Sequence, residues 1–299
     1  MSEAVSAASP SSPSNRFALA ALILGGAAIG GSPIFVRLSE VGPMATAFWR
    51  VALALIPIFA FSLIRGGKDA GPKPQNLADY GLLVLPGVIL AMDLAAWHLS
   101  ITMTSVANAT LLANLAPVFV TVIGLLFFRA SVSRIFVFGL ALALAGVVIL
   151  KGGPSALGNG DLRGDGVAII AAVFYAGYIL SIGRLRSRFD TIRIMLWSTA
   201  SAAVCVFPFG FFFEDHMLPA TAYGWSIVFG LAFISHASGQ VAIAYALAYL
   251  PAAFSSLTLL LQPVVAAILA WILLSEPIGL MQALGGVVVL AGIMIARRG

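Results

Sequence analysis

The sequence predicts an all-α integral membrane protein: ten transmembrane helices in two five-helix repeats of inverted topology, with the N and C termini in the cytoplasm. Three observations lead there. Hydrophobic residues make up 61% of the 299 positions and charged residues only 9%, with a mean hydropathy of +1.06, outside the usual range of soluble domains. The apolar runs continue for about twenty residues, the length a helix needs to cross the hydrocarbon core, whereas a barrel strand alternates in polarity over about ten. Finally, LLANLAPVFVTVIGLLFF at 111–128 returns as LLLQPVVAAILAWILLSEP at 259–277, about 146 residues later, with Pro117 over Pro263, Gly139 over Gly285 and Ala145-Gly146 over Ala291-Gly292. A helical hairpin used twice, with interruptions at matching places, is the sequence sign of a secondary transporter built from related halves.

The elements follow in order. Residues 1–15 are rich in Ser, Ala and Pro and carry one acid and no base, which predicts a disordered cytoplasmic tail. The next run is too long for the apolar core of a signal peptide and lacks a preceding basic cluster, so it is expected to remain as the first membrane helix. Breaks at Gly, Pro and charged clusters give spans at about 17–37, 43–63, 79–101, 105–128, 133–150, 165–184, 191–213, 222–248, 251–274 and 278–297. Linkers as short as 102–104 fit only antiparallel neighbours. The first repeat is expected over 16–150, a periplasmic linker over 151–164 and the second repeat over 165–299. The lone Cys205 lies inside a span and permits no intramolecular disulfide.

Ten spans place both termini on one side. If that side is the cytoplasm, its segments hold Arg16, Arg65, Lys68, Lys73, Arg129, Arg134, Arg184, Arg186, Arg188, Arg193, Arg297 and Arg298, against Arg37, Lys151 and Arg163 outside. That bias fixes orientation. The net charge of +5 therefore reports topology and not a nucleic-acid partner. The lipid bilayer and a small-molecule substrate are the expected partners. One chain carries both halves of a pathway, so a monomer suffices, and a dimer is equally compatible.

Polar groups inside the spans cost roughly 2.5 to 3.5 kcal/mol each at mid-bilayer and need partners. From the span ends, at about 1.5 Å per residue, Asp93, Asn114, Tyr175 and Gln262 all fall roughly 15 to 17 Å below the outer surface, which suggests a central cavity. Asp93, the only acid clearly inside a span, suits an ammonium group or a coupling proton, or else a structural pairing with Arg50. Trp97 lies one turn on, and His98 is closer to the surface. Arg50, about 10 Å deep, could hold a carboxylate bidentately or staple loops and helix ends. His236 and Gln240 share one face of the eighth span, and Ser255, Thr258 and Gln262 form a stripe on the ninth. With Tyr175 and Tyr178 they are expected to line the cavity, the alternative being interhelical hydrogen bonding. Pro117 and Pro263 remove helix hydrogen bonds and are expected hinges, with Gly87 and Gly230 as softer points. The pairs Gly25-Gly26, Gly30-Gly31 and Gly285-Gly286 are expected to serve close packing.

Gly30–Arg50 (GGSPIFVRLSEVGPMATAFWR), the repeated hairpin, and Ser275-Glu276-Pro277 followed by Gln282 and Gly285 resemble the drug/metabolite transporter superfamily. The match is to its ten-helix EamA type, over about residues 17–297. Position 275 holds Ser where the family has Gly, and the equivalent first-half loop, Arg129-Ala130, lacks the Glu. The pattern is most similar to YddG-type amino-acid exporters. That resemblance implies export of aromatic or other apolar neutral amino acids and related metabolites across the bacterial inner membrane, by alternating access. The alternative is a multidrug exporter of hydrophobic cations, although no carboxylate lies between Phe17 and Val36, where small multidrug exporters carry one. An intramembrane enzyme is disfavoured: HExxH and a second intramembrane Asp are missing, and there is no P-loop for ATP-driven pumping. No cofactor or metal is expected.

Overall fold

The computed structural model describes residues 13–64, 72–104, 106–153 and 161–299. Most of the expected N-terminal tail, and the middle of the expected periplasmic linker, lie outside them. The described residues form helices over the ten expected spans, numbered here α1 to α10, with boundaries within a few residues of those read from sequence. Six spans are single helices: α2 (Pro43–Ile64), α3 (Leu77–Met103), α5 (Arg134–Leu150), α6 (Leu162–Leu185), α7 (Thr191–Phe213) and α10 (Leu280–Ala296). By length and composition eight spans can cross a membrane, and α5 and α10 are shorter apolar helices.

Three of the other four spans are broken, and the breaks have chemical causes. In α1, Pro13–Gly30 and Ser32–Leu38 are joined at Gly31; in α4, Val106–Ala113 and Ala116–Phe128 meet at Asn114-Leu115; in α9, Ala252–Thr258 and Leu261–Leu274 meet at Leu259-Leu260. Each break sits just upstream of a proline: Pro33, Pro117 or Pro263. At each, backbone bonds tighten to three-residue spacing: Gly31 N–H to Ala28 O, Leu115 N–H to Leu112 O, and Leu260 N–H to Leu257 O. Proline has no N–H for the carbonyl four residues back and its ring crowds that carbonyl, so the helix restarts. The break in α1 corrects the expectation of one continuous first helix. The eighth span also differs from an ordinary helix: Ala222–Gly230 passes into a π-helical stretch, Leu231–Gln240, before Val241–Ala246. π turns inside α-helices occur frequently at functional sites.

Contacts between the loops fix the alternation of the spans. On one face the Thr104 hydroxyl donates to Asp165 (2.7 Å), the Met44 N–H to Glu214 (2.7 Å) and the Ala220 N–H to Glu40 (3.0 Å), while Arg37 pairs with Glu276. On the other, Arg188 pairs with the buried Asp79 at 2.7 Å and Arg193 donates to the Pro72 carbonyl. The first face is the one the charge bias assigns to the outside.

Packing divides the helices into two bundles. α1 packs on α8 and α9, and its repeat equivalent α6 packs on α3 and α4, with α2 and α7 bridging. The most extensive contact is between α5 and α10, equivalent helices that meet through glycine: a Cβ on Gly146 would lie 2.5 Å from Val289 N, and one on Gly285 would lie 2.3 Å from Leu150 N. Small residues permit this approach, which drives helix association where lipid supplies no hydrophobic push. Large apolar side chains such as Leu126, Phe127, Phe212 and Phe213 stay exposed on the outside of the bundle, where lipid is the solvent.

Candidate functional site

The two bundles enclose a half-open cavity of about 220 Å³ that extends from mid-membrane toward the outer face. All three proline-linked breaks border it: Gly30, Ser32 and Pro33 from α1, Ala113 and Asn114 from α4, and Gln262 and Pro263 from α9. The carbonyls that Pro33 and Pro117 leave without an N–H belong to Ile29 and Ala113, both cavity residues. Irregular backbone at membrane depth is tolerated where it is buried in protein or lines a water-filled cavity.

Two opposite charges face this space. Arg50 of α2 and Asp93 of α3 both line it, both are half-buried, and each is within electrostatic range of the other. Neither makes a hydrogen bond or ion pair with any described residue, and Arg50 Nε is buried without a partner. Around them stand further uncommitted atoms. The His98 Nδ1–H donates to the Leu94 carbonyl at 2.7 Å, which leaves Nε2 as a free acceptor. Tyr175, Gln240 and Gln262 line the same space, and Gln240 Oε1 and Gln262 Nε2 have no partner. Trp97 stands edge-on to His98, ring centres 4.9 Å apart. Asn114 is held at the α4 break by donating to Thr110 O at 2.8 Å. Buried polar groups are normally satisfied, so a cluster of open donors and acceptors marks a place for a polar guest or water.

Nine of the candidate site and hinge residues thus border one cavity: Arg50, Asp93, Trp97, His98, Asn114, Tyr175, Gln240, Gln262 and Pro263. The four expected at one depth are among them. The others stand apart. Tyr178 is buried against α7, its hydroxyl 3.9 Å from Met195 Sδ. His236 is buried in the π stretch with Nε2 3.1 Å from the Thr199 hydroxyl. Ser255 is buried away from the cavity, and Thr258 donates to the Phe254 carbonyl at 2.9 Å, spending its hydroxyl on its own helix. Gly87 and Gly230 sit at tight contacts: a Cβ on Gly87 would lie 1.9 Å from Ser198 O, and one on Gly230 2.6 Å from the Phe35 ring. Pro117 is buried behind its break and does not line the cavity.

Sequence reading passed over Ser32, Thr46, Thr110 and Lys151, which also line the space. By sequence alone Lys151 reads as a loop charge just past the fifth span. It caps α5, a helix too short to carry its end clear of the protein, and burial lowers its pKa from the ordinary lysine value. The Ser32 hydroxyl is bonded to that of Ser235, tying α1 to the π stretch. The signal for the α1 break was present as Pro33 after Gly30-Gly31-Ser32, in parallel with Pro117 and Pro263.

The EamA-like transporter family model matches the chain twice, over residues 16–151 and 162–298. The chain belongs to the EamA-like transporter family. Relatives of this EamA-like transporter cover from 72 to 95% of it. A transporter of Archaeoglobus fulgidus is 25% identical, covering 95% of this chain and 97% of its own. The pseudopaline exporter of Pseudomonas aeruginosa is 27% identical over 72% of this chain and 75% of its own. A probable terminal-alkyne amino-acid exporter of Streptantibioticus cattleyicolor is 24% identical over 83% of each. A solved crystal structure superposes with a TM-score of 0.75 over 95% of this chain and 96% of that one, at 17% identity, a likeness of fold. This EamA-like protein is therefore a multi-pass inner-membrane transporter and not an enzyme.

Proposed function

We propose that the protein exports amino acids with apolar side chains, and closely related metabolites, by alternating access through the central cavity. The observation that carries this reading is the pair Arg50 and Asp93, facing one space without protein partners. A guanidinium takes a carboxylate bidentately, and a carboxylate takes an ammonium. Held apart across a cavity, the two match the two ends of a zwitterion. His98 Nε2 and Gln240 Oε1 add acceptors for the ammonium, Gln262 Nε2 adds a donor, and Trp97 and Leu94 offer apolar surface to a side chain. Desolvating either charge without a guest is costly, so the site favours a ligand that satisfies both.

Export is supported by the family, whose named relatives include a probable terminal-alkyne amino-acid exporter and the pseudopaline exporter. Alternating access is supported by the two bundles and by the breaks at Pro33, Pro117 and Pro263, which give α1, α4 and α9 points to flex without losing further hydrogen bonds. The multidrug alternative fits less well, because Arg50 and Lys151 put two cations against one acid in the cavity and like charge repels a lipophilic cation.

Counterflow in proteoliposomes tests the reading. Labelled phenylalanine should exchange saturably, and phenethylamine and hydrocinnamate, each lacking one charged end, should compete about tenfold or more weakly. Exchange of a lipophilic cation with no exchange of amino acid would replace this reading by the multidrug one.

A further inference from the structure

The two repeats match closely at the loops after α4 and α9, and then part at one residue. Arg129 and Ser275, about 146 residues apart, end these helices in the same left-handed conformation, with φ 51° and 56°. The next residues, Ala130 and Glu276, donate their N–H groups to equivalent carbonyls, Gly124 O and Ala270 O. Beside each loop stands an arginine from the last turn of the repeat's first helix: Arg37 of α1 and Arg184 of α6. On the outer face Arg37 pairs with Glu276. On the inner face position 130 is Ala, and Arg184 instead lies over the Phe128 ring, its Cζ 5.2 Å from the centre. Among the described residues Arg184 has no anionic partner.

The space left there is a second cavity, about 390 Å³, at the inner ends of both bundles. Val120, Phe128 and Ala130 border it from α4 and its loop, Leu180 and Arg184 from α6, and Ala252 from the start of α9. Its wall is apolar apart from Arg184 and hydroxyls such as Thr121, whose donor is spent on Pro117 O at 2.7 Å. Between it and the outer cavity, Ala252–Thr258 packs onto α4 and α6. It thus occupies, on the inner side, the same seam between bundles that the substrate cavity occupies on the outer side.

We propose that this inner crevice is the loading vestibule of the export path, and that Arg184 receives the carboxylate of an amphipathic anion or zwitterion there, left open because Ala130 replaces the acid that neutralises its counterpart Arg37. The inference rests on the substrate reading above for the identity of the guest. Its charge preference stands on the crevice alone. An apolar wall with a single cation at its rim matches a small molecule with an apolar body and one carboxylate. A long aliphatic stem and an aromatic ring beneath the guanidinium keep it at the rim and partly desolvated.

Two measurements on the full chain, reconstituted in lipid, test it. In a Cys205→Ser, Ser131→Cys background, the crevice is labelled from the inner face with an anionic (sulfonatoethyl) and a cationic (trimethylammonioethyl) methanethiosulfonate. The anionic-to-cationic rate ratio should fall about threefold or more on Arg184→Gln, and equally on Ala130→Glu, which restores the missing pair without deleting the arginine. An unchanged ratio in both overturns the vestibule, whatever the flux. In the second measurement, the KM for phenylalanine offered from the inner face should rise about threefold or more in both variants while equilibrium binding of phenylalanine to the outer cavity holds. A ratio that falls while the inner-face KM holds overturns the loading role. If wild type moves no amino acid yet the ratio falls, the substrate reading fails and the crevice's anion preference stands.

Discussion

At the scale of single residues, the structure separates polar groups that are spent from those that are open. Thr258, Ser100 and Thr121 return their hydroxyls to their own helices, whereas Arg50, Asp93 and His98 Nε2 face the cavity. Composition and spacing bring Thr258 forward together with Arg50, Asp93 and His98, because a sequence shows that a polar residue lies in a span and not where its hydrogen bond goes. Ser275 is a case that sequence made legible: the family's usual Gly is absent, and the backbone there has φ 56°, a region where a Cβ crowds the following carbonyl. Ser275→Gly should raise stability in detergent by about 1 kcal/mol, read as a higher unfolding midpoint; a lower midpoint would contradict the left-handed cap. Glu40 supplies the pH-dependent contact. The Thr221 hydroxyl, with the Thr221 and Ala220 N–H groups, holds its carboxyl below its ordinary pKa of 4.5. A depressed folded pKa contributes stability above 4.5 that is lost as pH falls through the folded value. The difference in melting temperature between wild type and Glu40→Gln should therefore be constant from about pH 6 to 8 and narrow below 4.5. A difference that ignores pH would show that the clasp on the 220–221 loop carries no stability.

At the scale of elements, the ten spans were legible because about twenty apolar residues in a row have one solution in lipid, and the short linkers left little freedom in the order. The repeated prolines marked the breaks in α4 and α9. The π stretch was not legible, since Leu231–Gln240 has ordinary helical composition and its widening shows only in the backbone bonds. Nor did sequence distinguish glycines at backbone contacts from those with room. Gly285 and Gly286 are adjacent on α10, yet a Cβ on the first would lie 2.3 Å from Leu150 N, while on the second the nearest atom is Val264 Cγ1 at 3.5 Å. Gly285→Ala should destabilise by about 1–3 kcal/mol through forced separation of α5 and α10. Gly286→Ala should be neutral or gain up to about 1 kcal/mol from helix propensity. Thermal unfolding of the two variants side by side checks this, and equal effects would contradict the packing.

At the scale of the whole molecule, duplication explains both the resemblance of the halves and their differences. The equivalent helices α5 and α10 meet through equivalent glycines, and α1 and α6 each join the bundle of the other repeat. Around this symmetric frame the outer cavity carries charges that have no counterpart inside, and the inner crevice carries an arginine whose partner exists only outside. Repeat positions were readable from one chain, but the bundles were not, because which helix packs on which depends on contacts more than a hundred residues apart. The central claim is that Arg50 and Asp93 hold the two ends of one zwitterion, and equilibrium binding to the purified protein tests it most directly. Phenylalanine, phenethylamine and hydrocinnamate would be titrated against wild type, Arg50→Gln and Asp93→Asn. The account predicts that Arg50→Gln weakens phenylalanine and hydrocinnamate by about 10- to 100-fold and spares phenethylamine, while Asp93→Asn does the reverse for the two analogues. Losses that are the same for all three ligands in both variants would contradict it, and would make the two charges structural.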